Sequence, residues 1–322
     1  MKIAVTEIEQ VAKDAMIAHG AGDWQAGEVA RATARSEALG NVICGLYYLE
    51  SYCTQLRSGR VDGQVEPTVS RPKPGTVDVD AQFGFAQPAF ARGLPQAIAA
   101  TRENGVATLA VGHAHTCTSL GYFTEQISGA GLIGIGMTNA SPVVAPPGGN
   151  AKTIGTNPIS MSVPGQDGPV MHFDFSTSAV ALGKITMAKA AGEKIPLGWA
   201  VDAEGNPTDD PEKALQGALL SAGGYKGWGF GLMVELLAAG MTGSVNSLDV
   251  AGLKVAEGKP HDLGQFYILM EPRADFADRF TRVAEAVLAQ EGARIPGAAR
   301  QAMTEVDVPD ALWTQCKALT QG

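Results

Sequence analysis

"GGYKGWGFGLMVELLAAGM", Gly223 to Met241, carries the glycine pattern on which the fold class turns. Glycines and Lys226 stand just ahead of an apolar helical run. Backbone N–H groups at a helix start, with an ammonium beside them, suit a phosphate or a carboxylate. A doubly wound dinucleotide fold would show G-x-G-x-x-G between a strand and a helix. GWGFGL (Gly227 to Leu232) lacks the third glycine, GLIGIG (Gly131 to Gly136) has its glycines in the wrong order, and no Walker A sequence occurs. A dinucleotide, if one binds, is therefore held outside the Rossmann pattern. Local sequence equally allows a glycine-rich helix start with a solvated lysine. Glu235 interrupts the apolar run, which is too short for a membrane span.

Around this segment, apolar spacing predicts helices over 6–19, 23–39, 46–56, 88–103, 119–129, 178–190, 211–217, 227–241, 275–290 and 309–319. Strands are expected at VATLAVG, LIGIGMTN, ISMSV, VMHFDFS and FYILM, and a loop followed by a strand in VSRPKPGTVDVDAQ. Helices and strands alternate irregularly, so the class is α/β or α+β. The terminal helices, 1–75 and 275–322, are expected to form a unit apart from a central sheet domain, 76–274.

The 322 residues are 45% apolar and 18% charged, a globular balance, and the net charge of −9 gives no footprint for nucleic acid. A small molecule is the expected partner. The beginning, MKIAVTEIEQ, lacks the apolar core of a signal peptide. Cys44, Cys53, Cys117 and Cys316 show neither CxxC nor zinc spacing, which reads as free thiols in the cytoplasm and no metal.

Two further loops have anion-binding chemistry with plain alternatives. GTNPIS (Gly155–Ser160) offers hydroxyl and amide donors, or ordinary turn chemistry. DFSTSAVALGK (Asp174–Lys184) offers a carboxylate and hydroxyls, or a plain helix cap at Ser176 or Thr177. Taken in order, HAHTCTSLGYF, TNASPVVAPPGG, GTNPIS, DFSTSAVALGKI, GWAVDAEGNPTDDP and GGYKGWGFGLMVELLAAGMTG resemble the malate/L-lactate dehydrogenase family of the second, non-Rossmann type. That family includes ureidoglycolate dehydrogenase and the Δ1-piperideine/Δ1-pyrroline-2-carboxylate reductases. The resemblance implies a cytoplasmic homodimer with NAD or NADP on a largely antiparallel central sheet, passing hydride to or from C2 of a small 2-oxo or 2-imino carboxylate. It implies cofactor contacts from Thr156, Asn157, Ser176, Thr177, Ser178, Gly224, Tyr225, Lys226 and Gly227, and places Asp174 beside the catalytic centre.

The chain departs from the family at its N-terminal motif, Ser-His-Gly followed by Arg. Ile43, Cys44, Gly45 and Tyr48 stand at those positions. At the second motif, Ser-x-His-Phe-Gly, the chain has Ala114, His115, Thr116 and Cys117. Cys44, Tyr48, His115 and Asp174 are thus the candidate catalytic residues, with His113, His115 or Lys226 as a substitute acid, the two histidines expected on one side of a strand end. Glu235 needs a buried partner or a place at a dimer edge. Reducing a ketone yields an alkoxide that needs an acid, whereas a protonated cyclic imine already carries its proton. Loss of the histidine therefore favours a Δ1-pyrroline- or Δ1-piperideine-2-carboxylate reductase over a 2-hydroxyacid dehydrogenase of malate, lactate, ureidoglycolate or sulfolactate type. A non-catalytic binding protein is the third reading.

Overall fold

The computed structural model describes residues 1–298 and 300–322. The chain begins with β1 (Lys2–Ala4), α1 (Val5–Ala18), α2 (Asp23–Ala38) and α3 (Leu49–Arg57). There follow β2 (Thr68–Lys73), β3 (Thr76–Asp80), α4 (Ala86–Asn104), β4 (Val106–Ala114), α5 (Gly121–Gly129), β5 (Ile133–Thr138), β6 (Ile159–Val163) and β7 (Met171–Phe175). A small lobe comprises α6 (Leu182–Ala191), β8 (Ala200–Val201), α7 (Pro211–Gln216) and β9 (Ala218–Leu219). The chain ends with α8 (Tyr225–Glu235), β10 (Leu263–Met270), α9 (Phe276–Leu288), β11 (Glu305–Asp307) and α10 (Asp310–Leu319).

The main sheet runs β2-β3-β4-β10-β5-β6-β7, and only the β3–β4 pair is parallel. This is the largely antiparallel, non-Rossmann α/β sheet that the family resemblance implied. One face carries α4 and α5 over Phe90, Leu109, Phe123 and Tyr267; the other meets Val234 and Ala238 over Met137 and Phe266. A separate core joins the two ends of the chain, with Ile8, Met16, Leu49 and Tyr52 packed against Trp313 of α10. The small lobe has its own cluster around Ile154, Ile185 and Leu219.

Three local expectations need correction. The stretch read as a loop before β3 contains a strand, β2, despite Pro72. It is an edge strand with an irregular register between Ser70 and Lys73, where a missing N–H costs no ladder bond. The helix expected over 178–190 starts only at Leu182, because Ser178 Oγ donates to the Val180 carbonyl and offers the backbone a local alternative. The helix expected over 227–241 is α-helical to Glu235 and then widens into a π turn, Leu236–Gly240. There the Ala238 carbonyl approaches Gly264 so closely that a Cβ on that glycine would lie 1.8 Å away.

Candidate functional site

Alternation along β7 places His172 and Asp174 on one face of the sheet, toward the start of α5. The Gly121 N–H donates to Asp174 Oδ2 at 2.7 Å. Gly121 is required there, since a Cβ would lie 2.8 Å from His172 Nε2 and 3.1 Å from Asp174 Cβ. Burial pushes the Asp174 carboxyl up to about 6, opposed by the Gly121 N–H and by the Arg300 guanidinium. The carboxylate lines a cavity of about 250 Å³ with Arg35, Asn41, Ser119, His172 and Arg300.

Cys44 closes a single 3-10 turn, Val42–Cys44, on the other side of Asn41. The turn is held by Glu37, a buried carboxylate that accepts from the Leu46 N–H at 2.7 Å and against which Gly45 packs too tightly for a side chain. Burial and the nearby Asp174 charge push the Cys44 thiol up to about 12, against opposing contributions from Asn41 and Lys254. At neutral pH it is an uncharged thiol and a poor acid. Tyr48 is buried, its ring 5.2 Å from that of Tyr52, and burial raises its hydroxyl well out of the working range.

The two histidines near the end of β4 do not share a side. His113 adopts a left-handed φ of 52°, which breaks the alternation, and its Nδ1 pairs with Asp262 Oδ1 at 2.8 Å near the surface. His115 is buried, with Nε2 2.5 Å from Gln55 Oε1 and its ring stacked on His261 at 3.9 Å. Burial pushes His115 well down and His261 down to about 3, so both rings are neutral.

The three glycine- and hydroxyl-rich loops are stitched together by their own polar groups. Thr177 Oγ1 donates to the Thr156 and Asn157 carbonyls, each at 3.1 Å, and Ser178 bridges Ser221. Asn157 Nδ2 donates to the Gly231 carbonyl and to Glu235 Oε2, at 3.0 and 2.9 Å. Glu235 thus has the buried partner its position demanded, and it also accepts from the Ser247 N–H and hydroxyl. Gly223 and Gly224, with φ of 64° and 66°, lead into α8, whose start has no side-chain cap. Gly227 sits so near the Ala222 carbonyl that a Cβ would lie 2.0 Å from it. A dinucleotide fits these residues: the uncapped first turn of α8, with exposed Tyr225 and Lys226, leaves N–H donors for phosphate. Asn157 Oδ1 is a buried acceptor with no partner among the described residues.

Residues 3–315 match the malate/L-lactate dehydrogenase family. The chain belongs to that family. It is 36% identical to the Δ1-pyrroline-2-carboxylate reductase of Ancylobacter novellus, over 99% of this chain and 97% of that one. It is 37% identical to the (2R)-3-sulfolactate dehydrogenase (NADP(+)) of Chromohalobacter salexigens, over 98% and 97%. The Δ1-piperideine-2-carboxylate reductase structure from Pseudomonas syringae pvar. tomato superposes with a TM-score of 0.90 at 31% identity, covering 99% of both chains. This malate/L-lactate dehydrogenase family member is accordingly an NAD(P)-dependent oxidoreductase.

In this family member, Cys44 and Asp174 lie near enough for the carboxylate charge to act on the thiol, and Cys44 and Tyr48 are neighbours in the same way. His115 is spent on Gln55 and His261. Thr156 and Ser176 are partly accessible, whereas Asn157, Thr177 and Ser178 are buried and hold the loops to one another. Glu37, Asn41, Lys254 and Arg300 are among the residues near the site that went unread in the sequence. The Lys254 ammonium lies 3.6 Å from the Tyr47 ring centroid and 4.9 Å from that of Tyr48. Among the described residues, no cluster of His, Cys, Asp or Glu could hold a metal, and no helix is long and apolar enough to cross a membrane.

Proposed function

We propose that this enzyme reduces a cyclic 2-imino carboxylate, Δ1-pyrroline-2-carboxylate or Δ1-piperideine-2-carboxylate, to L-proline or L-pipecolate. The observation that carries the reading is Cys44, a thiol pushed up to about 12 where the family motif has its histidine. His115 cannot stand in without breaking its bond to Gln55. The nicotinamide, when bound, supplies the hydride. A protonated C=N accepts it to give a neutral amine, so no group of the protein need deliver a proton to a developing alkoxide. Asp174, ionised above about pH 6, favours the iminium form of the substrate by its charge and orients the Gly121 turn. Ser119 and Asn41 line the same cavity.

The names of the curated relatives at 35–37% identity support this reading, and the sulfolactate dehydrogenase among them supports the second, a 2-hydroxyacid dehydrogenase. Steady-state oxidation of NADPH and NADH against a panel of substrates separates the two. Turnover with Δ1-pyrroline-2-carboxylate at least about 100-fold above that with pyruvate, oxaloacetate or sulfopyruvate is expected, the scale of general acid help a ketone would lack. Rapid keto-acid reduction without imine reduction overturns the reading.

We further propose a cytoplasmic homodimer, in which the terminal segments 1–75 and 275–322 form the helical substrate- and dimer-side unit. No residue of α9 is buried, and its Val283 and Leu288 are 62% and 61% exposed. Phe230, Leu236 and Met241, in and just after α8, are exposed as well. Apolar faces of that extent on two helices call for a covering partner.

A further inference from the structure

The proposed substrate carries a carboxylate of its own, and the cavity proposed for its protonated C=N end is lined by another, Asp174. A cation must therefore hold the substrate's own carboxylate, and the nearby cations are few. Arg35 is committed to Glu125, at 3.0 and 3.3 Å. Arg300 donates through Nε and Nη2 to the Leu39 carbonyl, at 3.3 and 2.7 Å. Arg60 is buried, donating to the carbonyls of Gly252, Val255 and Lys259. Lys254, which shares a neighbouring cleft with Tyr47, Glu50 and Gln55, has no acceptor or carboxylate partner among the described residues, and it acts on Cys44 by its charge.

Its position is also built rather than left to chance. The backbone on either side of Lys254 is strapped to α3: Gln55 Nε2 donates to the Leu253 and Val255 carbonyls at 2.8 and 2.9 Å, and Ser58 Oγ to the Ala256 carbonyl at 2.7 Å. Gln55 is itself fixed by His115 Nε2. Two fully buried polar side chains, Gln55 and Arg60, thus serve to place one short loop. The loop lays the Lys254 ammonium across the faces of Tyr47 and Tyr48, two to three residues beyond Gly45 of the Cys44 turn.

We propose that Lys254 is the residue that binds the substrate's carboxylate, delivered from the 252–259 loop onto the Tyr47–Tyr48 platform, with His115 and Gln55 as the residues that position it. The inference rests on the substrate being a small carboxylate, not on its being an imine. An ammonium–carboxylate contact shielded on one side by aromatic rings belongs to the stronger class of hydrogen bonds.

The test uses the intact enzyme saturated with NADPH, in wild-type, Lys254→Met and Lys254→Arg forms. Steady-state constants are measured with the best substrate of the wild type, and Kd by calorimetry with pyrrole-2-carboxylate and pyrrole-2-carboxamide. Lys254→Met is expected to raise KM and the carboxylate Kd about 30-fold, the range of one hydrogen bond to a charged group. The KM for NADPH and the carboxamide Kd should change less than about threefold, and kcat less than about fivefold, because uniform binding is what is lost. Lys254→Arg should recover most of the affinity. Carboxylate affinity within about threefold of wild type in Lys254→Met, on the same scale, overturns the inference, as does an equal loss for carboxylate and carboxamide. If imine turnover is intact in that variant, the inference fails alone. If only keto acids are reduced, with the full Lys254→Met loss, the imine reading fails alone. A wild type that binds no carboxylate sinks both.

Discussion

Replacing Asp174 by Asn separates the stability of this fold from its function through pH. The Asp174 carboxyl is displaced from an ordinary 3.8 to about 6, chiefly by burial. A folded-state value above the unfolded one means that the native protein binds the proton more tightly than the unfolded chain. Native stability from this group is whole below about pH 4 and is lost as pH rises through about 6. Once both states are ionised, the displacement corresponds to roughly 3 kcal/mol at about 1.4 kcal/mol per pH unit, an upper value for a side chain that water partly reaches. An Asn keeps an acceptor for the Gly121 N–H and carries no charge. Urea unfolding of both proteins should therefore show Asp174→Asn more stable by about 1–3 kcal/mol at pH 8, with the gain fading to nothing near pH 4. Turnover should meanwhile fall by about 100-fold or more, since the charge that favours the protonated substrate is gone. A variant no more stable at pH 8 than at pH 4, relative to wild type, would refute the account of why this carboxylate is perturbed.

Three other perturbations follow from the same contacts. Glu235→Ala leaves the Ser247 N–H and hydroxyl without their acceptor and the Asn157 amide with only the Gly231 carbonyl, and should cost about 3 kcal/mol in thermal or urea unfolding and raise the KM for the cofactor. Gly227→Ala sets a methyl 2.0 Å from the Ala222 carbonyl, so the start of α8 must move; fluorescence titration should show NADPH affinity falling at least about tenfold, with a lowered melting temperature. Val283→Glu puts a charge on the exposed apolar face of α9; sedimentation should show the proposed dimer in wild type and monomer in the variant, a dimer unchanged in the variant would locate the interface elsewhere, and a monomeric wild type would overturn the dimer.

The parts of this fold that read well from sequence are those fixed by neighbouring residues. Period-2 alternation in ISMSV and VMHFDF marked β6 and β7, and the glycines of 223–231 excluded the Rossmann arrangement. The buried partner of Glu235 was legible as a need, since a carboxylate in an apolar helix cannot stand alone, but not as Asn157 and Ser247, which lie on other loops. What escaped was set by distant chain. β2 is a strand because β3 pairs with it, whatever Pro72 suggests locally. The π turn after Glu235 answers to Gly264. His113 and His115 part company because of a left-handed backbone that no side-chain pattern announces. Lys254 is an unremarkable lysine in a glycine-containing loop until Gln55 and Arg60, nearly 200 positions earlier, hold that loop beside Tyr47.

The most direct measurement of whether a C=N acceptor relieves this site of its acid is the pair of kcat/KM values, imine and keto acid, before and after Cys44→His. Restoring an imidazole should raise keto-acid reduction by about 10²-fold while Δ1-pyrroline-2-carboxylate reduction stays within about threefold of wild type. Keto-acid reduction that is already fast with Cys44 in place, or imine reduction that climbs as steeply as keto-acid reduction on adding the histidine, would contradict it.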